Sequence, residues 1–454
     1  MFNPLDISYY VISLGCSKNL VDSEKINASM IAAGFSQSES SDEADIIIIN
    51  TCGFIQDAKE ESISVIFDAL DLREDENHRK SGKKKLPENK GPAGEEIFTR
   101  RVVVAGCLSQ RYCHDLAHDI PEIDFLYGVV DDGFVPALCR SLNIQYNNNI
   151  IEPPRIALLP GLAYSYIKIS EGCSNNCSYC AIPMIRGAHR SYDPAQVIRE
   201  ARHAVGAGAV ELDVIAQDIA SYNWEKTRLP ELVDMISEID GVRWIRLLYC
   251  HPDHCTEGII NLVRNNSKVV PYLDLPFQHV SRNILQSMGR KGDARIYRSL
   301  IDRLRNEIPE IRIRSTFMVG YPGETEENFS ELLEFIEDAH LDRVGAFTYS
   351  PEENTKAALL PGKVSQKVKS NRLGKLMALQ QEISGSKLRE MIGRELEVLI
   401  EERVDETTYI GRTQYDAPEV DGIFYLTGMG VMINSIVRAQ VTDAIEYDLF
   451  GKLP

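Results

Sequence analysis

The sequence predicts an α/β chain of several domains. An N-terminal doubly wound parallel α/β domain is followed by a central partial (βα)6 TIM-like barrel and a small, OB-like C-terminal β-barrel. Three observations predict this. Near-continuous β-branched runs alternate with helical stretches over residues 7 to 140, the pattern of a parallel sheet covered on both faces. A second alternation of six strand–helix units fills the next 190 or so residues. Short strands punctuated by Gly, Asp and Pro occupy the rest, as in a small antiparallel barrel. The expected domains are residues 1–145, 160–385 and 390–454. A chain of 454 residues has room for them, at ~100–200 residues per domain.

In the first segment the candidate strands are Tyr9 to Leu14, Asp45 to Ile49, Val102 to Ala105 and Phe125 to Tyr127. The helical spacing from Val21 to Ala33 has Asp22 and Ser23 as candidate N-caps. Residues 73–96 carry almost no apolar side chains and read as a polar, solvated loop, with Lys83 to Lys85 as a less favoured basic docking element. Residues 141–162 form an Asn- and Pro-rich connector. The second segment offers strands Tyr164 to Ser170, Val210 to Ile215, Arg243 to Tyr249, Val270 to Leu275, Ile311 to Met318 and Arg343 to Tyr349. Helical stretches such as Pro194 to Val205, Leu229 to Ile239 and Thr325 to Ala339 separate them. In such a barrel, function belongs at the carboxyl ends of the strands. Residues 364–392 read as a basic helical connector. Strands Glu395 to Ile400, Thr407 to Arg412, Gly422 to Leu426 and Ile436 to Val441 complete the last segment.

Composition bounds the partners. Lysine plus arginine total 49 against 67 acidic residues, a net charge of −18. Binding a long nucleic acid by bulk charge needs a basic surface, so a basic protein or a small molecule is the better expectation. No apolar run approaches the roughly 18 residues of a membrane span, and the first residues lack a secretory pattern. A cytoplasmic location is expected. Thiols stay reduced there, so the ten cysteines point to metal ligation or burial rather than disulfides.

The strongest chemical signal is EGCSNNCSYC, with Cys173, Cys177 and Cys180 spaced C-x3-C-x2-C directly after the first barrel strand. Thiolates are soft ligands suited to iron–sulfur clusters. Three sulfurs in one loop can hold three corners of a cubane and leave the fourth iron open. The competing reading is structural zinc, which wants four ligands; His189, nine residues on, is the nearest candidate for a fourth. This spacing on the first strand of a βα barrel resembles the radical S-adenosylmethionine superfamily. The resemblance implies that the open iron is chelated by S-adenosylmethionine, which an electron from the cluster cleaves to a 5′-deoxyadenosyl radical. It also implies cofactor contacts from Tyr179, which precedes the last cysteine, and from Gln217 and Asp218 in VIAQD. VGYPGE, Val319 to Glu324, resembles the family as well.

Three further cysteines share one placement. Cys16 follows SLG, Cys52 follows IIIINT and Cys107 follows VVVAG, each just past a predicted parallel strand. The carboxyl ends of such strands form the ligand crevice of an open α/β sheet, so the three should converge. They suit a second cluster with an open iron; the bland alternative is three buried small hydrophobes. SLGCSKNLVDSE, NTCGFI and AGCLSQRY, which carry these cysteines, resemble the methylthiotransferase family. That resemblance covers nearly the whole chain and implies that the trio binds an auxiliary cluster, giving two 4Fe-4S clusters in all. Cys113 is expected on the helix after Cys107, and the string CHPDHC, Cys250 to Cys255 with His251 and His254, has the look of a metal site but is broken by Pro252.

The last segment bears on the substrate. Residues 393–454 hold five basic and twelve acidic residues, a balance of −7, which should repel phosphate and attract a basic protein. The segment looks like a TRAM domain. GRTQYDAPEVDG, Gly411 to Gly422, and FTYSPEENTKA, Phe347 to Ala357, resemble the RimO type of methylthiotransferase. That type adds a methylthio group to the β-carbon of an aspartate of ribosomal small-subunit protein twelve; the rival type modifies an adenosine of transfer RNA. The implied cofactors are the two clusters and S-adenosylmethionine, with an electron donor such as flavodoxin or ferredoxin. A radical is required because no side-chain base could deprotonate an unactivated C–H bond.

Overall fold

The computed structural model describes residues 1–81, 98–146 and 155–454. The chain forms two compact units. One comprises Met1–Pro160 with Ala181–Gly187, the other Gly161–Cys180 with Ala188–Pro454. Among the described residues no helix is long and apolar enough to cross a membrane.

In the first unit five parallel strands, β1 (Ser8–Ser13), β2 (Ser36–Gln37), β3 (Ile46–Thr51), β4 (Arg101–Gly106) and β5 (Phe125–Leu126), stand in the order β2-β1-β3-β4-β5. Every residue of IIIINT is buried, because the central strand is covered on both faces. Tyr9, Ile46 and Ile48 pack with Ile26 and Met30 of helix α1 (Ser17–Ala32) and with helix α4 (Phe134–Ser141). Ile47 and Ile49 pack with helices α2 (Gln56–Ser81) and α3 (Cys107–Asp119). Two expectations are corrected here. Helix α1 starts at Ser17 behind an extended Cys16, so Asp22 and Ser23 lie inside it and cap nothing. Helix α2 continues through Ser81, so the polar stretch opens as helix rather than loop. The remainder of that stretch, with Lys83 to Lys85, lies outside the described residues, as does part of the Asn-rich connector.

In the second unit β6 (Tyr164–Lys168), β7 (Glu211–Ile215), β8 (Trp244–Leu247), β9 (Val269–Asp274), β10 (Arg312–Val319) and β11 (Arg343–Thr348) lie side by side in sequence order, all parallel. This is the open partial barrel. Its core of Ile167, Val214, Ile245, Leu273 and Ile313 packs against the intervening helices. A closed five-stranded barrel follows, built from β12 (Glu395–Arg403), β13 (Thr408–Thr413), β14 (Phe424–Thr427), β15 (Ile436–Ala444) and β16 (Leu449–Lys452). The last strand is only four residues long and too short to have been signalled by pattern.

The small barrel docks on the amino ends of the parallel strands through Gly411 to Gly422. Arg412 donates from Nη2 to Glu211 Oε2 at 2.7 Å, and Arg246 bonds the other oxygen of that carboxylate at 2.7 Å. Arg343 pairs with Asp416 at 2.5 Å, while Arg314 pairs with Asp421 at 2.6 Å. The Tyr272 hydroxyl donates to Asp421 at 2.6 Å, and that of Tyr164 to Glu419 at 2.8 Å. Burial alone would raise the Glu211 carboxyl, but the two guanidiniums hold it below the usual range. Asp213, buried beside the Glu211 charge, is pushed well above its usual range. The string Gly411 to Gly422 thus also serves as a structural clasp within this unit. The side chains of Arg412, Asp416 and Asp421 are buried in it. The solvent-facing balance of the small barrel therefore changes from −7 to 4 − 10 = −6 and stays acidic.

Candidate functional site: two cysteine triplets at strand ends

In the second unit Gly172, at φ +71°, turns the chain after β6 into the cysteine loop, a left-handed conformation that glycine adopts without strain. The end of a short helix, Arg282–Ser287, and Tyr321 just past β10 hold the loop. Ser178 donates its amide to Met288 O at 2.9 Å and its hydroxyl to Ser287 O at 2.8 Å, and that hydroxyl also meets Tyr321 OH at 2.7 Å. Gly289 is needed beside it: a Cβ there would stand 2.8 Å from Asn176 O. The Asn175 amide donates to Cys173 Sγ at 3.4 Å. Burial, then the neighbouring Cys177, raises the Cys173 thiol despite that bond. The three cysteines are only partly buried.

Asp218 and Gln217 both reach this loop. Asp218 Oδ2 accepts from Asn175 Nδ2 at 2.9 Å, from Ser221 Oγ at 2.7 Å and from His254 Nδ1 at 2.7 Å. Burial works against the charge, yet these bonds hold the carboxyl well below its ordinary range, and Asp218 in turn raises His254. Gln217 Nε2 donates to Glu171 Oε1 at 3.4 Å, while its Oε1 is buried with no hydrogen-bond partner among the described residues. An orphaned acceptor beside a thiol loop fits a ligand that brings an N–H or ammonium donor. Tyr179 packs against the core with its hydroxyl 3.4 Å from Arg290 Nη1. His189 is bonded to Ser191 and, through its amide, to Ser174, so it is engaged in the fold. Glu324 of VGYPGE accepts the amides of Gly320 and Tyr321 and pairs with Arg372 at 2.7 Å, which closes a turn. The CHPDHC string forms a short 3-10 turn in which the His251 and His254 rings stack 4.7 Å apart.

In the first unit the three predicted strand ends converge as expected. Cys16 precedes α1, Cys107 opens α3, and Cys52 directly follows β3 with its amide donating to Ser62 Oγ at 3.1 Å. Two of the sulfurs thus sit at helix N-termini, where the backbone dipole favours an anionic ligand. Glycines let the turns approach. A Cβ on Gly15 would stand 2.8 Å from Cys52 Sγ, and one on Gly53 2.7 Å from Leu108 Cα. Cys16 is exposed, whereas Cys52 and Cys107 are buried. Burial is the main cause that raises Cys52 and pushes Cys107 up to about 12, and the neighbouring thiols add to it. Three mutually interacting sulfurs with one edge open suit a cluster better than three packed hydrophobes.

Two residues of this site escaped the sequence reading. Asn19 joins the strand ends: its Nδ2 donates to Leu14 O and to Thr51 O, each at 2.9 Å. Its Oδ1 accepts from Cys107 Sγ at 3.6 Å and from Arg186 Nη2 at 2.5 Å. Arg186 ends the short helix α5 (Ile182–Arg186), which directly follows Cys180 in the chain and belongs to the first unit. Among the described residues, no three His, Cys, Asp or Glu are grouped to hold a single metal ion. A cubane makes a different demand, since it spreads its protein ligands over separate irons.

Comparison with known proteins matches this arrangement segment by segment. Residues 8–128 match an uncharacterised protein family, UPF0004, residues 167–336 the radical SAM superfamily and residues 392–453 the TRAM domain. The fold resembles the radical S-adenosylmethionine methyltransferase TsrM of Kitasatospora setae, with a TM-score of 0.55 at 13% identity over 78% of this chain and 77% of that one. It also resembles the cobalamin-dependent enzyme OxsB, with a TM-score of 0.51 at 10% identity over 83% and 56%. The ribosomal protein uS12 methylthiotransferase RimO of Geobacter sulfurreducens is 41% identical over 98% of both chains. That of Clostridioides difficile is 39% identical over 97% of both. With such relatives about 40% identical over nearly the full length of both chains, and with a radical SAM segment between the other two, the chain belongs to the RimO family of radical SAM methylthiotransferases.

Proposed function

We propose that this protein adds a methylthio group to the β-carbon of an aspartate of ribosomal small-subunit protein twelve, using two 4Fe-4S clusters and S-adenosylmethionine. The observation that carries the reading is the pair of independent thiol triplets. Residues 1–145, 160–385 and 390–454 are the auxiliary-cluster domain, the radical SAM core and the TRAM domain. Cys173, Cys177 and Cys180 hold one cluster; Cys16, Cys52 and Cys107 hold the other. When bound, these groups supply the electron and radical that activate an unreactive C–H bond, together with the sulfur that replaces the hydrogen.

The chain's own residues bind and orient. Gln217 offers its buried, unpartnered Oε1 to the ammonium of S-adenosylmethionine. Asp218 is held ionised and anchors the cysteine loop through Asn175, which fixes the loop beside the cofactor. Tyr179, locked by Arg290, forms an apolar wall there. The acidic face of the small barrel attracts a basic ribosomal protein, free or within the small subunit. An electron donor such as flavodoxin or ferredoxin and a cytoplasmic location complete the proposal.

The test is anaerobic incubation of reconstituted enzyme with ribosomal protein twelve and transfer RNA together, S-adenosylmethionine and dithionite, followed by mass spectrometry of both. A single aspartate carrying a methylthio group is expected. Methylthioadenosine in transfer RNA, with the ribosomal protein untouched, would overturn the substrate.

A further inference from the structure

Two of the auxiliary thiols are buried, and burial opposes negative charge there. Cys52 is 8% and Cys107 4% exposed, and the nearby Glu61 carboxylate adds repulsion at Cys52. A cluster on three thiolates is anionic, and an anion taken out of water needs a compensating cation. One buried cation meets both sulfurs. The guanidinium of Arg186, whose side chain is 2% exposed, acts on Cys107 by charge and hydrogen bond, and on Cys52 by charge. Its partners include Asp22 Oδ2 at 3.0 Å and Asn19 Oδ1 at 2.5 Å. The same Asn19 oxygen accepts from Cys107 Sγ. Arg186 does not arrive from the sheet that carries the cysteines. It comes from α5, six residues beyond Cys180.

We propose that Arg186 is a positioning residue for the auxiliary cluster: clamped by Asp22 and Asn19, it fixes Cys107 and supplies the charge that sets how readily that cluster takes up an electron. Asp22 tunes the same device in the opposite sense, because it neutralises part of the guanidinium's field. The inference rests on the two-cluster reading above. It assigns no step to Arg186 itself and concerns only the cluster's one-electron couple, with the electron supplied by dithionite in the test.

The test uses the full chain with Cys173, Cys177 and Cys180 replaced by alanine, so that any cluster remaining belongs to the first unit. Arg186→Gln, Arg186→Lys and Asp22→Asn are added singly, and each protein is titrated anaerobically with dithionite against redox dyes. Arg186→Gln removes a cation and should make the cluster about tenfold harder to reduce, about 59 mV for a one-electron couple. Asp22→Asn should shift the couple in the opposite direction. Arg186→Lys keeps the charge and should restore most of the parent's potential. Loss of iron from Arg186→Gln that Arg186→Lys restores would also support the role. Unchanged potentials in Arg186→Gln and Asp22→Asn, or shifts of the same sign in both, would overturn it. A parent protein that binds no iron would instead overturn the two-cluster reading.

Discussion

The two cysteine triplets solve the same problem by different means. Cys173, Cys177 and Cys180 share one short loop, so their spacing is written in the chain itself and the fold need only brace it through Ser178, Asn175 and Gly289. Cys16, Cys52 and Cys107 come from three strands, and only the parallel register of β1, β3 and β4 brings them together. The loop triplet should therefore tolerate distant damage that the dispersed trio does not. A local motif needs its anchors; a convergent site needs a whole sheet.

The largest effects break one triplet at a time. Replacing Cys173, Cys177 and Cys180 by alanine should abolish cleavage of S-adenosylmethionine, followed as 5′-deoxyadenosine by chromatography. Replacing Cys16, Cys52 and Cys107 should leave cleavage but give no methylthio product. Thiolation by the second variant would refute the division of labour. Next in size is the clasp at the far end of the strands. Arg412→Ala removes one of the two guanidiniums on the buried Glu211 carboxylate and leaves one of its oxygens without that donor; it should destabilise the second unit by about 1–3 kcal/mol, measured by denaturant unfolding, with iron binding at the first unit unaffected.

Asn19→Ala sharpens the comparison from the other side. It removes the bonds that tie Leu14 to Thr51 and should cost about 1–3 kcal/mol. Iron bound by the Cys16 trio should fall, while iron bound by the Cys173 loop stays. The smallest effect concerns pH. The Asp218 carboxyl is depressed and the His254 imidazole raised by their mutual bond. The Asp218 contribution is present above about pH 3.9 and fades as pH falls through its lowered value. The His254 contribution is present below about pH 6.5 and fades as pH rises through its raised value. His254→Asn should thus lower thermal stability between those limits and matter less at alkaline pH.

Much of this was legible in the residues. The loop triplet needed only spacing, and the dispersed trio needed one further step, that each cysteine follows a strand of a parallel sheet. Helix starts were less legible: Asp22 and Ser23 have the chemistry of caps, yet they are buried polar residues of the helix face that lies against the strand ends. Arg186 left no local signal, because its partners Asp22 and Asn19 lie 164 and 167 residues away. The burial of the clasp left no local signal for a related reason. Its acidic residues look like solvent-facing charge until the arginines of β10 and β11 and Tyr272 of β9 are set opposite them.

The most direct measurement is iron and sulfide content after anaerobic reconstitution of the wild type and the two triple-alanine variants. The account predicts about eight irons per wild-type chain and about half of that in each variant, with different spectra in the two. Four irons in the wild type, all of them retained when Cys16, Cys52 and Cys107 are gone, would contradict it.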